Sequence, residues 1–345
     1  MLKKRGVVIA LTYVGAVIGA GFSSGQEIWR FFGRHQSYGL LALLITGLFL
    51  VGLAPLLFRL SKVLVIDNYH QYFYRFLPRP LAVFFDLIYS FFLIGSVSVM
   101  LAGSGEVFKD LLGLDYWLGV ILTLSLLLFA LYLKLEGLIT VNSCIVPVLL
   151  LITIVTVGKY IQGIDPARFS ALFEFKGASS GWLLDAILYG SYNLIISIAV
   201  MTEVVANEEK GDIWQGGILG GVLLLILALL LYLGLISAFA HSPQQEIPVL
   251  SLARQGGRVV YLAYIVALYF AMLSTALANF YAFNRRMVTL FKIKYELILV
   301  LTPLLLLPLV RSGFSGLVDR LYPSFGYLGI IFLIYFLILA WRVVR

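Results

Sequence analysis

The sequence predicts an all-α integral membrane protein of about ten transmembrane helices. They fall into two five-helix repeats of opposite orientation, with the first and sixth helices discontinuous. Three observations carry this expectation. First, 61% of the 345 residues are apolar and 12% are charged, against roughly 45–50% and about 25% in ordinary soluble domains. With a mean hydropathy of +1.01, a water-soluble fold could not hide that much apolar surface, so the solvent is lipid. Second, the apolar residues gather into stretches long enough to cross about 30 Å of hydrocarbon. Third, glycine and hydroxyl residues interrupt the first stretch of each half.

The expected spans run roughly over Gly6–Phe32, Ser37–Phe58, Pro80–Phe108, Tyr116–Leu133, Gly137–Tyr160, Gly181–Val205, Ile213–Ala240, Arg258–Asn284, Lys292–Val310 and Tyr322–Trp341. The ninth has the shortest charge-free part. No ten-residue alternation of the kind a β-barrel needs is present. Lys3, Lys4 and Arg5 ahead of an apolar run resemble a leader peptide, but the segment is expected to be a retained first helix. The whole of 1–345 forms one transmembrane domain, with 1–160 as the first repeat and 161–345 as the second. Five helices per half is an odd number, so the second half enters the membrane from the opposite face, as in inverted-repeat transporters.

The net charge of +8 has a simple source in basic residues of cytoplasmic loops. Nucleic acid is not expected as a partner, because no basic patch is interleaved with exposed aromatics. Placing both termini in the cytoplasm puts Lys3, Lys4, Arg5, Arg75, Arg79, Arg285 and Arg286 inside. The expected location is the plasma membrane, multi-pass, with the lipid bilayer and a small-molecule solute as partners, and a monomer as the assembly. The segments Ile161–Ser180 and His241–Gly257 are long enough to act as lids or to serve as passive connectors.

Helix one carries Gly15, Gly19, Gly21, Ser23, Ser24 and Gly25 at mid-depth. Each helical glycine costs about 1 kcal/mol relative to alanine, so this density favours unwinding. Unwound backbone in a membrane must be satisfied by protein or by a water-filled cavity. Free amides near Ser23–Gln26 would meet an anionic group, and freed carbonyls from Gly15 to Gly19 would meet a cation. Helix six carries Tyr189, Gly190, Ser191, Tyr192 and Asn193 at the corresponding place. The substrate-binding candidates are therefore Gly19, Gly21, Ser23, Ser24, Gly25, Ser191, Tyr192 and Asn193. Tyr89, Ser96 and Ser98 are further pocket candidates. Gly216, Gly217, Gly220 and Gly221 lack polar neighbours and mark close helix packing.

The run Val14 to Glu27 resembles the first helix of the YkvI-like bacterial membrane proteins, members of the amino acid–polyamine–organocation superfamily with the LeuT fold. That resemblance implies a LeuT-type 5+5 inverted repeat. In sodium-coupled members of the fold, an ion sits between helices one and eight. The carried-over ligands here are the carbonyls of Gly15, Ile18 and Ala271 and the hydroxyls of Ser274 and Thr275, with sodium as the implied ion. Oxygen donors suit a hard cation, and positions i, i+3 and i+4 share a helix face. Alternatively, Ser274 and Thr275 bond back to their own helix. Phe22 stands where relatives with a second sodium site carry asparagine, so that second site is expected to be absent. Lys159 lies at the outer end of helix five, which disfavours proton coupling through a lysine at the ion position.

Intramembrane carboxylates are costly and usually face the bundle interior. Glu27 opens the second half of helix one, either as a cap or as a contact for a substrate amine or a proton. Glu106 is a candidate for an outer gate, and Asp86 with Arg5 for an inner one. The expected function is secondary active transport, as sodium-coupled symport of a small amino-acid-like solute by alternating access. An uncoupled or proton-coupled facilitator or channel is the alternative. No nucleotide-binding or hydrolase motif is present, and His35, His70 and His241 sit at loops or span ends, so no enzyme is expected.

Overall fold

A computed structural model describes residues 4–133, 138–163, 180–239 and 245–344, apart from the side chains of 138–144, 199, 343 and 344. The helices are α1 (Lys4–Val17), α2 (Ala20–Ser24), α3 (Gln26–Phe31), α4 (Ser37–Val63), α5 (His70–Phe76), α6 (Arg79–Leu112) and α7 (Tyr116–Tyr132). They continue with α8 (Leu138–Gln162), α9 (Trp182–Val205), α10 (Lys210–Ala238), α11 (Pro248–Gln255), α12 (Arg258–Phe291), α13 (Tyr295–Val310) and α14 (Phe314–Val344). Among the described residues, six helices are long and apolar enough to cross a membrane by length and composition, and shorter apolar helices accompany them.

Lipid as solvent explains the surface. Large apolar side chains such as Leu48, Val300 and Leu304 are two-thirds exposed or more, an arrangement that water would penalise and hydrocarbon tolerates. The interior holds many of the hydroxyls and a few charges, among them Glu27, Asp86 and Arg286.

The two halves carry matching elements. The helices α6 and α12 both have 34 residues, and each follows a short helix, α5 or α11. They are succeeded by the short α7 and α13, of 17 and 16 residues. Helix α1 packs along α10, α9 packs along α4 and α14, and α6 crosses α12.

Local chemistry sets several boundaries. Gly113 ends α6 in the left-handed region at φ +64, as a helix-terminating glycine does. Two residues on, the Asp115 carboxylate accepts the Trp117 amide at 2.8 Å and starts α7. Asp115→Ala is expected to lower stability by about 0.5–2 kcal/mol, measured by thermal unfolding in detergent against Asp115→Asn, which retains the cap.

Helix α4 contains a π-helical segment, Phe49–Leu53. In that register the donor to the Leu50 carbonyl would be residue 55, which is a proline with no N–H. The Tyr13 hydroxyl donates to that carbonyl instead, at 3.2 Å. The glycines of α10 serve this contact. A Cβ at Gly221 would lie 2.3 Å from the Leu50 carbonyl oxygen, and one at Gly220 would lie 2.6 Å from the Tyr13 ring.

One expectation is corrected. Helix six, α9, is continuous from Trp182 to Val205, with no break at Tyr189–Asn193. A single glycine does not unwind a helix whose neighbours hold it. Gly190 is required by a close approach, since its Cβ would meet the Phe49 ring at 2.8 Å. The Asn193 amide donates back to the Tyr189 carbonyl at 2.9 Å and keeps the helical register.

Candidate functional site

Helix one breaks where its glycines are densest. α1 ends at Val17, and Gly19 is extended at φ −109, ψ −166. A Cβ on Gly19 would lie 2.5 Å from the Met100 methyl group, so only glycine admits the Met100 side chain of α6. The Ala20 amide, without a helical acceptor, donates to the Met100 sulfur at 3.0 Å. Among the described residues, no backbone N–H returns to the carbonyls of Gly15, Ala16, Val17 or Ile18. The Thr275 hydroxyl of α12 donates to the Ile18 carbonyl at 3.1 Å. Ala271, Ser274 and Thr275 are all buried in α12. Neutral oxygen donors thus gather at the junction of helices one and eight, and their chemistry suits a hard monovalent cation. No group of three or more His, Cys, Asp or Glu forms a metal site among the described residues.

Beyond the break the chain turns twice. The Ser23 hydroxyl donates to the Gly19 carbonyl at 2.7 Å, and the Ser24 hydroxyl donates to Gly21 at 3.0 Å. Tyr264 of α12 donates to the Ser23 carbonyl at 2.7 Å. Gly25 adopts the left-handed region at φ +84 and reverses the chain into α3. Its absent Cβ leaves room for Val249 of α11, 2.7 Å from where it would stand. The described part of the second long loop therefore packs over the break. Most of the first, residues 164–179, lies outside the described residues.

Glu27 folds back toward the break. Its carboxylate lies against the Phe22 backbone amide and accepts the Tyr192 hydroxyl of α9. A Cβ on Gly21 would lie 2.2 Å from its Oε1, so Gly21 is the residue that admits it. Tyr189 and Tyr322 turn toward the same carboxylate. The Tyr189 hydroxyl is buried without a hydrogen-bond partner. Glu27 is 3% exposed and forms no ion pair among the described residues, because the nearby Arg30 pairs with Asp319 at 3.2 Å. Of the amides expected to meet a substrate anion, that of Ser23 returns to the Gly19 carbonyl at 3.0 Å, that of Gly25 to the Phe22 carbonyl at 3.0 Å and that of Gln26 to the Ser24 hydroxyl at 3.2 Å, while the neighbouring Phe22 amide faces the protein's own carboxylate.

Other candidates are placed differently. Ser191 is buried against Gly329 of α14, and its hydroxyl has no partner. Ser96 accepts the Asn279 amide at 2.8 Å, Ser98 bonds back to Ile94, and Tyr89 donates to the Ile195 carbonyl at 2.9 Å. Lys159 reaches the Gly256 carbonyl at 3.1 Å, at the end of its helix. Glu106 approaches Lys109 at 3.8 Å, one turn along α6.

The Arg5–Asp86 gate is corrected. Arg5 pairs with Glu208 at 3.4 Å on the surface. Asp86 is fully buried and pairs with Arg286, whose Nε donates to Oδ1 at 2.8 Å, and Tyr74 completes the cluster. Arg5 stands beside the acidic loop after α9, whereas Asp86 faces α12.

Sequence reasoning missed Met100, Tyr189, Tyr322 and Arg286. Tyr189 lies inside the segment singled out on helix six. Nothing local marks Met100 or Tyr322, which reach the site only through the packing of α6 and α14.

No family model matches the chain. It is 27% identical over 334 residues to the uncharacterized membrane protein YkvI of Bacillus subtilis, covering 94% of this chain and 93% of that one. It is 24% identical over 358 residues to the uncharacterized protein YyaD of the same organism, covering 99% and 100%. Among solved structures, MhsT in complex with L-phenylalanine matches with a TM-score of 0.67 at 14% identity, over 91% of this chain and 80% of that one. A Na+-coupled sialic acid symporter matches at 0.65 and 13%, over 91% and 73%. The Eremococcus coleocola manganese transporter matches at 0.62 and 15%, over 95% and 77%. Over nearly its whole length the chain is similar to YkvI and YyaD, and it has the LeuT-type fold that these transporters share.

Proposed function

We propose that the chain is a secondary transporter that couples sodium entry to symport of a small amino-acid-like solute. The observation that carries this is the break at Ile18–Gly19, where among the described residues no backbone N–H returns to the carbonyls of Gly15–Ile18 and the Thr275 hydroxyl of α12 donates to that of Ile18. Gly15, Ile18 and Ala271 would hold the ion through carbonyls, and Ser274 and Thr275 through hydroxyls. A sodium ion there supplies positive charge that ties helix one to helix eight. The Thr275 hydroxyl itself makes that tie to the Ile18 carbonyl. One neighbour is named in complex with L-phenylalanine, and another is named as a Na+-coupled sialic acid symporter.

The residues around the break are buried, so solute reaches them only when one helix group moves against the other. The matching lengths of α6 with α12 and of α7 with α13 support residues 1–160 and 161–345 as inverted repeats. The same buried carboxylate that stands without a cation, Glu27, also favours a second reading, proton-coupled or uncoupled passage.

The test is thermal unfolding of the purified full chain in sodium chloride and in potassium chloride at equal concentration. A ligand that binds only the folded state at ten times its Kd stabilises by about 1.4 kcal/mol. Sodium is expected to raise the midpoint selectively, and Ser274→Ala with Thr275→Ala is expected to abolish the difference. Sealed vesicles then report whether amino-acid uptake follows a sodium gradient. Uptake indifferent to sodium, together with no selective stabilisation, overturns the coupling and leaves the second reading.

A further inference from the structure

An amino-acid carrier of this fold would be expected to meet its solute's carboxylate at the amides of the helix break. Here that position is taken. The Glu27 carboxylate lies against the Phe22 amide, in space that exists only because residue 21 is glycine. A second carboxylate brought to the same place would meet like charge in a site shielded from water.

What the site lacks is a cation. Glu27 has no ion-pair partner among the described residues; the Tyr192 hydroxyl donates to it, and the Tyr189 and Tyr322 hydroxyls are turned toward it. Buried carboxylates in membrane proteins are normally matched by an opposite charge. The walls are aromatic. The Tyr189 and Tyr192 rings lie 5.2 Å apart edge to face, and Tyr192 stacks on Tyr322 at 5.3 Å. Phe31 approaches Tyr189 at 5.1 Å and Phe32 approaches it at 4.9 Å. Aromatic faces around one carboxylate form the environment that attracts organic cations. The buried Tyr189 hydroxyl, which makes no hydrogen bond of normal geometry, stands beside the same carboxylate and adds an oxygen to the wall.

We infer that Glu27, walled by Tyr189, Tyr192 and Tyr322, seats a protonated amine of the transported solute, so that the solute is selected by its positive charge rather than by a carboxylate. An ammonium brings three N–H donors. The carboxylate oxygens and the Tyr189 hydroxyl supply acceptors for them. The inference rests on the transport reading and names the chemical class of its solute.

Three probes share one ring and differ in charge: phenylethylamine, phenylalanine and phenylacetate. Binding to the purified full chain is measured by tyrosine and tryptophan fluorescence, in sodium and in potassium. Phenylethylamine is expected to bind, and phenylacetate is not. Glu27→Gln is expected to weaken the amine by about tenfold or more, the effect of losing one charge-assisted hydrogen bond. Tyr189→Phe keeps the ring and is expected to weaken it by severalfold, which covers the case in which Glu27→Gln fails to fold. Amine binding that Glu27→Gln and Tyr189→Phe leave unchanged overturns the inference. So does phenylacetate binding to the unaltered protein, or no amine binding at millimolar concentration. The sodium reading fails separately. Glu27-dependent amine binding with no sodium effect removes the coupling and supports the amine seat. Selective sodium stabilisation without such binding does the reverse.

Discussion

Arg286→Ala is expected to lower the stability of the protein by about 3–5 kcal/mol, because it strands a carboxylate in the bundle interior. The side chains of Asp86 and Arg286 are 0% and 7% exposed. The guanidinium makes two contacts to the carboxylate, with Nε at 2.8 Å from Oδ1. Tyr74 of α5 donates to Asp86 at 3.1 Å and accepts from Arg286 at 3.2 Å. The Arg286 guanidinium also lies over the Tyr74 ring, 5.3 Å from its centroid. Removing either partner leaves the other charged and unpaired where water does not reach. Removing both, as Asp86→Leu with Arg286→Met, abolishes the desolvation cost along with the attraction. The double variant is therefore expected to be markedly more stable than either single one. Thermal unfolding of the four proteins in detergent closes the cycle. Additive losses would show that the pair is not coupled and that the geometry described here is wrong. The cluster joins α5, α6 and α12, so its loss is also expected to loosen the third helix against the eighth.

The second large effect is Gly221→Ala, expected to cost about 1–3 kcal/mol despite the better helix propensity of alanine. A Cβ there would lie 2.3 Å from the Leu50 carbonyl oxygen and 2.7 Å from its carbon. Both are backbone atoms of the π-helical segment and cannot rotate away. The helices α4 and α10 would have to separate, and the Tyr13 hydrogen bond to the same carbonyl would be disturbed. The matched comparison is Gly158→Ala in α8, where nothing lies within 4 Å of the new methyl group. That change is expected to be neutral or stabilising. Equal effects at the two sites would remove close helix approach as the reason for the glycine.

Much of the fold was legible because lipid imposes a simple rule. A helix that crosses hydrocarbon must be apolar on its outer face and must satisfy its backbone internally. Long apolar runs therefore marked the helices, and the glycine cluster at Gly15–Gly25 marked the break. The glycines of α10 were also legible as packing residues, because no polar neighbour accompanied them. Gly216, Gly217, Gly220 and Gly221 each lie against α1 or α4.

The same reasoning failed where a residue's meaning depends on what stands opposite it. Gly190 reads like Gly19 in the sequence. Opposite Gly19 lies the flexible thioether of Met100, which fills the gap and accepts the freed amide. Opposite Gly190 lies Phe49, and the helix runs through. Ser191 reads as a pocket residue, yet it packs against Gly329, far along the chain in α14.

The sequence alone determined the solvent, the helical class and the position of the first break. Each is a local or compositional property, set by residues within a few turns of one another. Only the tertiary structure decided that Asp86 meets Arg286, 200 residues away, rather than Arg5. It also decided that helix six is unbroken and that Glu27 folds back against the Phe22 amide beside the break. Charge pairing and cavity occupancy are set by which helices become neighbours, and spacing along the chain does not encode that.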